Sequence, residues 1–237
     1  MNADGICTEN ELDIFNDIYW QYRKAEKKRF SSMGTNAPGV TGKDLREIRE
    51  SIDSIGFTKN ADNSAAVIAV IEKMLGLEHL NEYHEESVDF FVGVDGGTIQ
   101  RVKKSVDLDL VPDYSGCSLK SDKVLQIQTL WNLINIGYAD EKYTYPQGRV
   151  IDYLAAQWKI DKPLYLSMID TAETMLLLVA KEQFIDQCLK QRKETGVLSQ
   201  GENDRGIREM EKMKNRVKTD IEKLKKDIDI TINETNL

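Results

Sequence analysis

Apolar and polar positions alternate with a helical period over most of this chain. Thr8 stands three residues before Glu11, the capping-box arrangement that satisfies two free N–H groups at a helix start. Leu12, Phe15, Ile18, Tyr19 and Tyr22 follow at helical spacing. The basic run Arg23 to Arg29 suits the negative end of a helix dipole. Ser31–Gly42 is rich in Ser, Gly, Thr, Asn and Pro and reads as a loop. Further helices are predicted over about 43–55 and 62–79, so residues 1–83 form an N-terminal helical region.

The period changes over 84–118. Val88, Phe90, Val92 and Val94 alternate, Asp95-Gly96-Gly97 offers turn chemistry, and Val106, Leu108 and Leu110 alternate again before Pro112. This pattern fits a small β-hairpin or meander. An irregular connector is the competing reading.

From residue 121 the helical signal returns. Ser121 is the candidate N-cap of a helix to about Tyr138 carrying Val124, Leu125, Ile127, Trp131, Ile134 and Ile136. A turn at Asp140–Thr144 leads to a helix over roughly 145–158. Asp161 then starts a third, with Pro163 tolerated in a first turn whose N–H groups lack intrahelical partners. Its Met175–Ala180 stretch is apolar all round, as in a central helix buried on most sides. Trp131, Ile134, Ile151, Leu154, Leu176 and Val179 are therefore expected in one core. After a break at Gly196–Gly206, more than half of residues 202–229 are charged. Met210, Met213, Val217, Ile221, Leu224 and Ile228 form a narrow seam through them, like a coiled coil with a stutter. Glu211–Lys214 and Glu222–Lys226 are spaced as helix ion pairs. A helix with so narrow a seam lies against its own body, a second copy or a protein partner.

Composition narrows the function classes. The 237 residues carry a net charge of −8, which disfavours a general nucleic-acid binder. The longest apolar run, Met175–Ala180, is far short of the ~20 residues of a membrane span. Residues 1–30 show no secretory pattern, and Cys7, Cys117 and Cys188 have no C-x-x-C spacing. Reduced thiols and a cytoplasmic location are expected. The segment Val92–Thr98 looks like a first phosphate loop of actin-like ATPases, but a hairpin turn explains Asp95-Gly96-Gly97 better. His79 and His84, with Glu78, Glu82, Glu85 and Glu86 nearby, read as an exposed acidic helix end.

Leu130-Trp131-Asn132-Leu133-Ile134-Asn135-Ile136-Gly137-Tyr138-Ala139-Asp140, followed by a short turn and Val150-Ile151-Asp152-Tyr153-Leu154-Ala155, resembles the TerB-like (tellurite-resistance B) helical domain. The resemblance spans about residues 121–188. Asp140 matches the family's Asp. Glu141 stands where Gly is usual, and Pro146 and Gln147 replace the acidic pair that starts the second helix. The resemblance implies a bacterial stress-response or defence setting, and the family's acids are associated with divalent metal. Asp170 and Glu173 share a helix face; were that face to meet Asp140, three carboxylates would converge on a hard cation.

The resulting expectation is a mostly α, TerB-like multi-helix bundle, with N-terminal helices at 1–83, a connector at 84–118, the TerB-like domain at 119–195 and an amphipathic arm at 200–237. Its expected role is that of a non-enzymatic interaction or scaffold module with no catalytic residues. A protein partner or a second copy would bind through the arm. The alternative is a divalent-metal-binding stress protein using Asp140, Asp170 and Glu173.

Overall fold

The structure, a computed structural model, describes residues 8–11, 14–15, 62–80, 98, 108–111, 119, 121–139, 143–195 and 200–234. Regular structure among the described residues is helical throughout. The chain divides into two compact units, Met1–Asp161 and Lys162–Leu237. That boundary falls inside the expected 119–195 domain. The expected helix at 43–55 lies outside the described residues, as do the hairpin strands at 88–102 except Thr98, which is helical.

In the first unit, α1 (Ser64–Leu75) starts where the Asp62 carboxylate accepts the Ser64 N–H at 2.9 Å. Arg149 donates to the other Asp62 oxygen at 3.1 Å, tying this end to a later helix. Burial pushes the Asp62 carboxyl up, but the Ser64 hydrogen bonds and the Arg149 charge together hold it below the usual carboxylate range. The helix ends earlier than the predicted residue 79. Gly76 adopts φ 58, and Leu77 N–H turns back to the Glu72 carbonyl at 2.9 Å, a left-handed stop that glycine tolerates best.

A 3-10 turn at Leu108–Leu110 replaces the strand expected there. Val111 and Leu108 pack with Val70 and Met74 of α1, so this segment is a tight turn over a helix; Val106 lies outside the described residues.

Helix α2 (Lys123–Gly137) is capped by Asp122, whose carboxylate accepts Leu125 N–H at 3.1 Å; the cap is one residue beyond the expected Ser121. Helix α3 (Tyr145–Gln157) packs against both α1 and α2. The Tyr143 ring leads into α3 and stacks on Tyr138 with centroids 4.5 Å apart. A Cβ at Gly137 would lie 3.0 Å from that ring, and one at Gly148 3.3 Å, so the close approach requires small residues there. Ile68, Ile127, Leu130, Ile134, Ile151 and Leu154 are buried in this unit.

Trp131, Ile134, Ile151 and Leu154 are thus buried as the periodicity predicts. Leu176 and Val179 instead belong to the second unit, where Leu176 is half-buried and Val179 is 39% exposed. The second unit consists of α4 (Lys162–Thr195) and α5 (Gln200–Glu234), which pack against each other along their length. Helix α5 begins inside the expected break at 196–206.

A buried polar knot anchors the N-terminus of α3. Thr8 N–H donates to Glu11 Oε2 at 3.0 Å and Glu11 N–H to Thr8 Oγ1 at 3.2 Å, which is the predicted capping box. Gln147 Nε2 donates to Glu11 Oε1 at 3.0 Å, while its Oε1 accepts Thr144 N–H at 2.9 Å. One carboxylate and one amide therefore join two helix starts. A glutamate at position 147 would lack the donor that Glu11 Oε1 accepts from.

Candidate functional site

Charge and apolar spacing divide α4 into two faces. Ile185 and Leu189 of α4 cluster with Val217 of α5, with Leu178, Ile207, Met210 and Ile221 packed around them. Met213 is 47% exposed and falls outside this seam. Lys214 takes its place. Its Nζ lies 2.6 Å from each Asp186 carboxylate oxygen and 3.9 Å from Glu182 Oε1. Lys218 also reaches Glu182, at 3.5 Å. The hydrogen bond to Asp186 raises the Lys214 pKa above the usual lysine value, against the effect of desolvation. The true seam is Ile207, Met210, Lys214, Val217, Ile221, Leu224 and Ile228, a regular alternation of threes and fours with no stutter. Lys214 crosses to α4 instead of pairing with Glu211 along its own helix.

The face of α4 turned away from this seam carries Leu166, Leu177 and Phe184, which repeat at near-whole numbers of helical turns. Leu177 is 70% exposed and Phe184 66%. Asp170 and Glu173, both exposed, lie on the same face. Among the described residues, α4 is the one helix long and apolar enough, by length and composition, to cross a membrane. The apolar run alone did not suggest this. The stretch 163–180 nevertheless contains Asp170 and Glu173, and each carboxylate at a bilayer centre would cost about 2.5–3.5 kcal/mol on insertion scales.

Of the expected metal ligands, Asp140 lies outside the described residues, and Asp170 and Glu173 sit on the outer face of α4. No group of three or more His, Cys, Asp or Glu positioned for a metal occurs among the described residues. Cys188 is a free, half-buried thiol, while Cys7, Cys117 and the Asp95 loop are not among the described residues.

His79 is not on an exposed acidic end. Its Nδ1 lies 2.6 Å from Oε1 of the buried Glu72, and Tyr153 Oη donates to the same oxygen at 2.9 Å. The His79 and Tyr153 rings stack with centroids 6.5 Å apart. Burial, then the Glu72 charge and hydrogen bond, push the Tyr153 phenol well above its ordinary range, against the Leu80 N–H. An imidazole oriented by a carboxylate can serve as a general base, but His79 Nε2 is closed off from solvent and has no hydrogen-bond partner. The knot ties the segment after α1 to α3. Sequence reasoning missed it; the available signal was Glu72 on the buried side of α1, between Ala69 and Leu75.

Comparison of the chain with known protein families, curated proteins and solved structures finds no match.

Proposed function

We propose that this chain is a non-enzymatic, cytoplasmic, TerB-like interaction module of a bacterial stress-response or defence complex, and that the outer face of α4 is its contact surface. The observation that carries this reading is the exposure of Leu177 and Phe184, two turns apart on one face of a long helix. Contiguous exposed apolar surface marks an interaction site more often than scattered apolar residues do. The TerB-like element rests on the resemblance of residues 130–140 and 150–155.

The seam of α5 is occupied by α4, so partner binding moves from the arm to the opposite side of its helical neighbour. Asp170 and Glu173 on that face favour a protein helix bearing apolar residues flanked by Lys or Arg over the acyl region of a bilayer.

The test compares the parent with a Leu177→Glu/Phe184→Glu double variant by affinity capture from native cell extract and by light scattering. Both changes are at exposed positions, so melting should be nearly unchanged. The parent should retain a partner or self-associate, and the variant should lose that association. Identical captured proteins and identical masses for both would refute the contact surface.

A further inference from the structure

We propose that a cavity at the ends of α1 and α3 and the start of α2 binds a small molecule through a phosphate or carboxylate group held between Lys123 and Lys159. The cavity has a volume of about 560 Å³, within the range of small-molecule sites, and its walls include Leu77, Glu78, Gln126, Gln157, Trp158 and both lysines.

The charge arrangement argues for an anion. Lys123 Nζ donates to the Trp158 and Lys159 carbonyls, the latter at 2.8 Å, and so caps the end of α3. Among the described residues, no carboxylate lies within ion-pair distance of either lysine. Burial first, and then the Lys159 charge, hold the Lys123 pKa below the usual lysine value. An oxyanion between them would relieve this repulsion through charge-assisted hydrogen bonds.

The wall supplies a second observation. Trp158 is only 5% exposed and its Nε1 has no hydrogen-bond partner, and Gln157 Oε1 likewise has none. Buried polar atoms in proteins usually have a hydrogen-bond partner, from the chain, from ordered water or from a ligand. Glu78 lies in the wall with no cation paired to it among the described residues, so a ligand gains there if it also carries a cationic or hydrogen-bond-donating end. The class that fits is a metabolite-sized molecule with one anionic end and one hydrogen-bond-donating or cationic end.

Lys123→Ala would remove a helix cap and confuse binding with folding. Lys159 is the better position, because its φ of 51 is one that glycine adopts without strain. The test is a melting-temperature titration of the full chain with inorganic phosphate at constant ionic strength, with Lys159→Gly and, as a charge-matched control, Lys223→Ala. Phosphate also stabilises proteins by exclusion from their surface, so the diagnostic is saturation. The parent and Lys223→Ala should show a saturable rise, and Lys159→Gly should weaken the apparent Kd about tenfold or more, as for loss of one charge-assisted contact. A linear rise without a plateau in the parent, or the same titration in Lys159→Gly, would overturn the proposal.

Discussion

Replacing Gln147 by Glu exchanges one nitrogen for one oxygen at nearly constant volume, and the consequences follow from the buried knot. Glu11 is 1% exposed and Gln147 7%. The parent amide donates to Glu11 Oε1 at 3.0 Å. In the variant that donor is gone and a second carboxylate stands in its place. At an effective dielectric constant of about 20, two like charges at about 4 Å repel by about 4 kcal/mol. The pair avoids most of this by binding one proton, which then restores a hydrogen bond between the two acids. Taking up that proton at pH 7 costs about 1.4 kcal/mol for each pH unit above an ordinary glutamate pKa of about 4.3, hence roughly 3–4 kcal/mol.

The destabilisation should therefore depend on pH. The shared proton has a folded-state affinity raised above its unfolded value. The stability it confers is fully present below about pH 4.3 and is lost as pH rises through the raised folded-state value. Urea unfolding of parent and variant at pH 5, 6 and 7 should show a deficit growing by up to about 1.4 kcal/mol per unit. The double variant Glu11→Gln/Gln147→Glu reverses the hydrogen bond. The amide introduced at position 11 can accept from Thr8 N–H and donate to the carboxylate introduced at position 147. This variant should recover most of the stability and lose the extra pH slope. A deficit independent of pH, or a double variant no better than the single one, would refute this account.

Other expected outcomes follow from the same geometry. Tyr153→Phe removes a donor to the charged Glu72 and should lower stability by about 1.5–3 kcal/mol near neutrality in denaturant unfolding. Because the folded chain holds the Tyr153 proton more tightly than the unfolded chain, parent stability should fall above about pH 10, and the variant should lack that alkaline contribution. Val217→Ala, inside the α4–α5 seam, should cost about 1.5–3 kcal/mol, whereas Met213→Ala should stay within about 0.5 kcal/mol. Equal effects of the two changes in thermal unfolding would contradict the revised seam.

The helices were legible because their signals are local. Asp161 and Pro163 at a first turn and the spacing of Ile134, Ile151 and Leu154 each report on a few neighbouring residues. The Thr8–Glu11 box was legible for the same reason. The second partner of Glu11 was not, since Gln147 is remote in sequence and no local pattern joins them. The Glu72, His79 and Tyr153 knot was hidden likewise. An apolar-only count chose Met213 over Lys214, although a lysine's methylene stem can occupy an apolar seam while its ammonium reaches acids at the edge. Helix α4 exposes the limit most directly. An apolar circumference says that a helix has several faces to cover, but the face left open depends on how broad its neighbour is.

That open face is linked to the charge pattern of α5. Lys214 occupies a seam position, which weakens apolar contact but specifies register. Sliding α5 by one heptad would carry Lys214 from Asp186 to the level of Lys193 in one direction or Val179 in the other. The first places like charges together and the second leaves the ammonium beside an apolar side chain, so both slips are disfavoured. The observed register instead meets Asp186 and Glu182 and turns Ile185 and Leu189 toward α5. Because the faces of a helix rotate together, turning Ile185 inward also turns Leu177 and Phe184 outward. A single lysine in a narrow seam thus helps determine which apolar surface of α4 is offered to a partner.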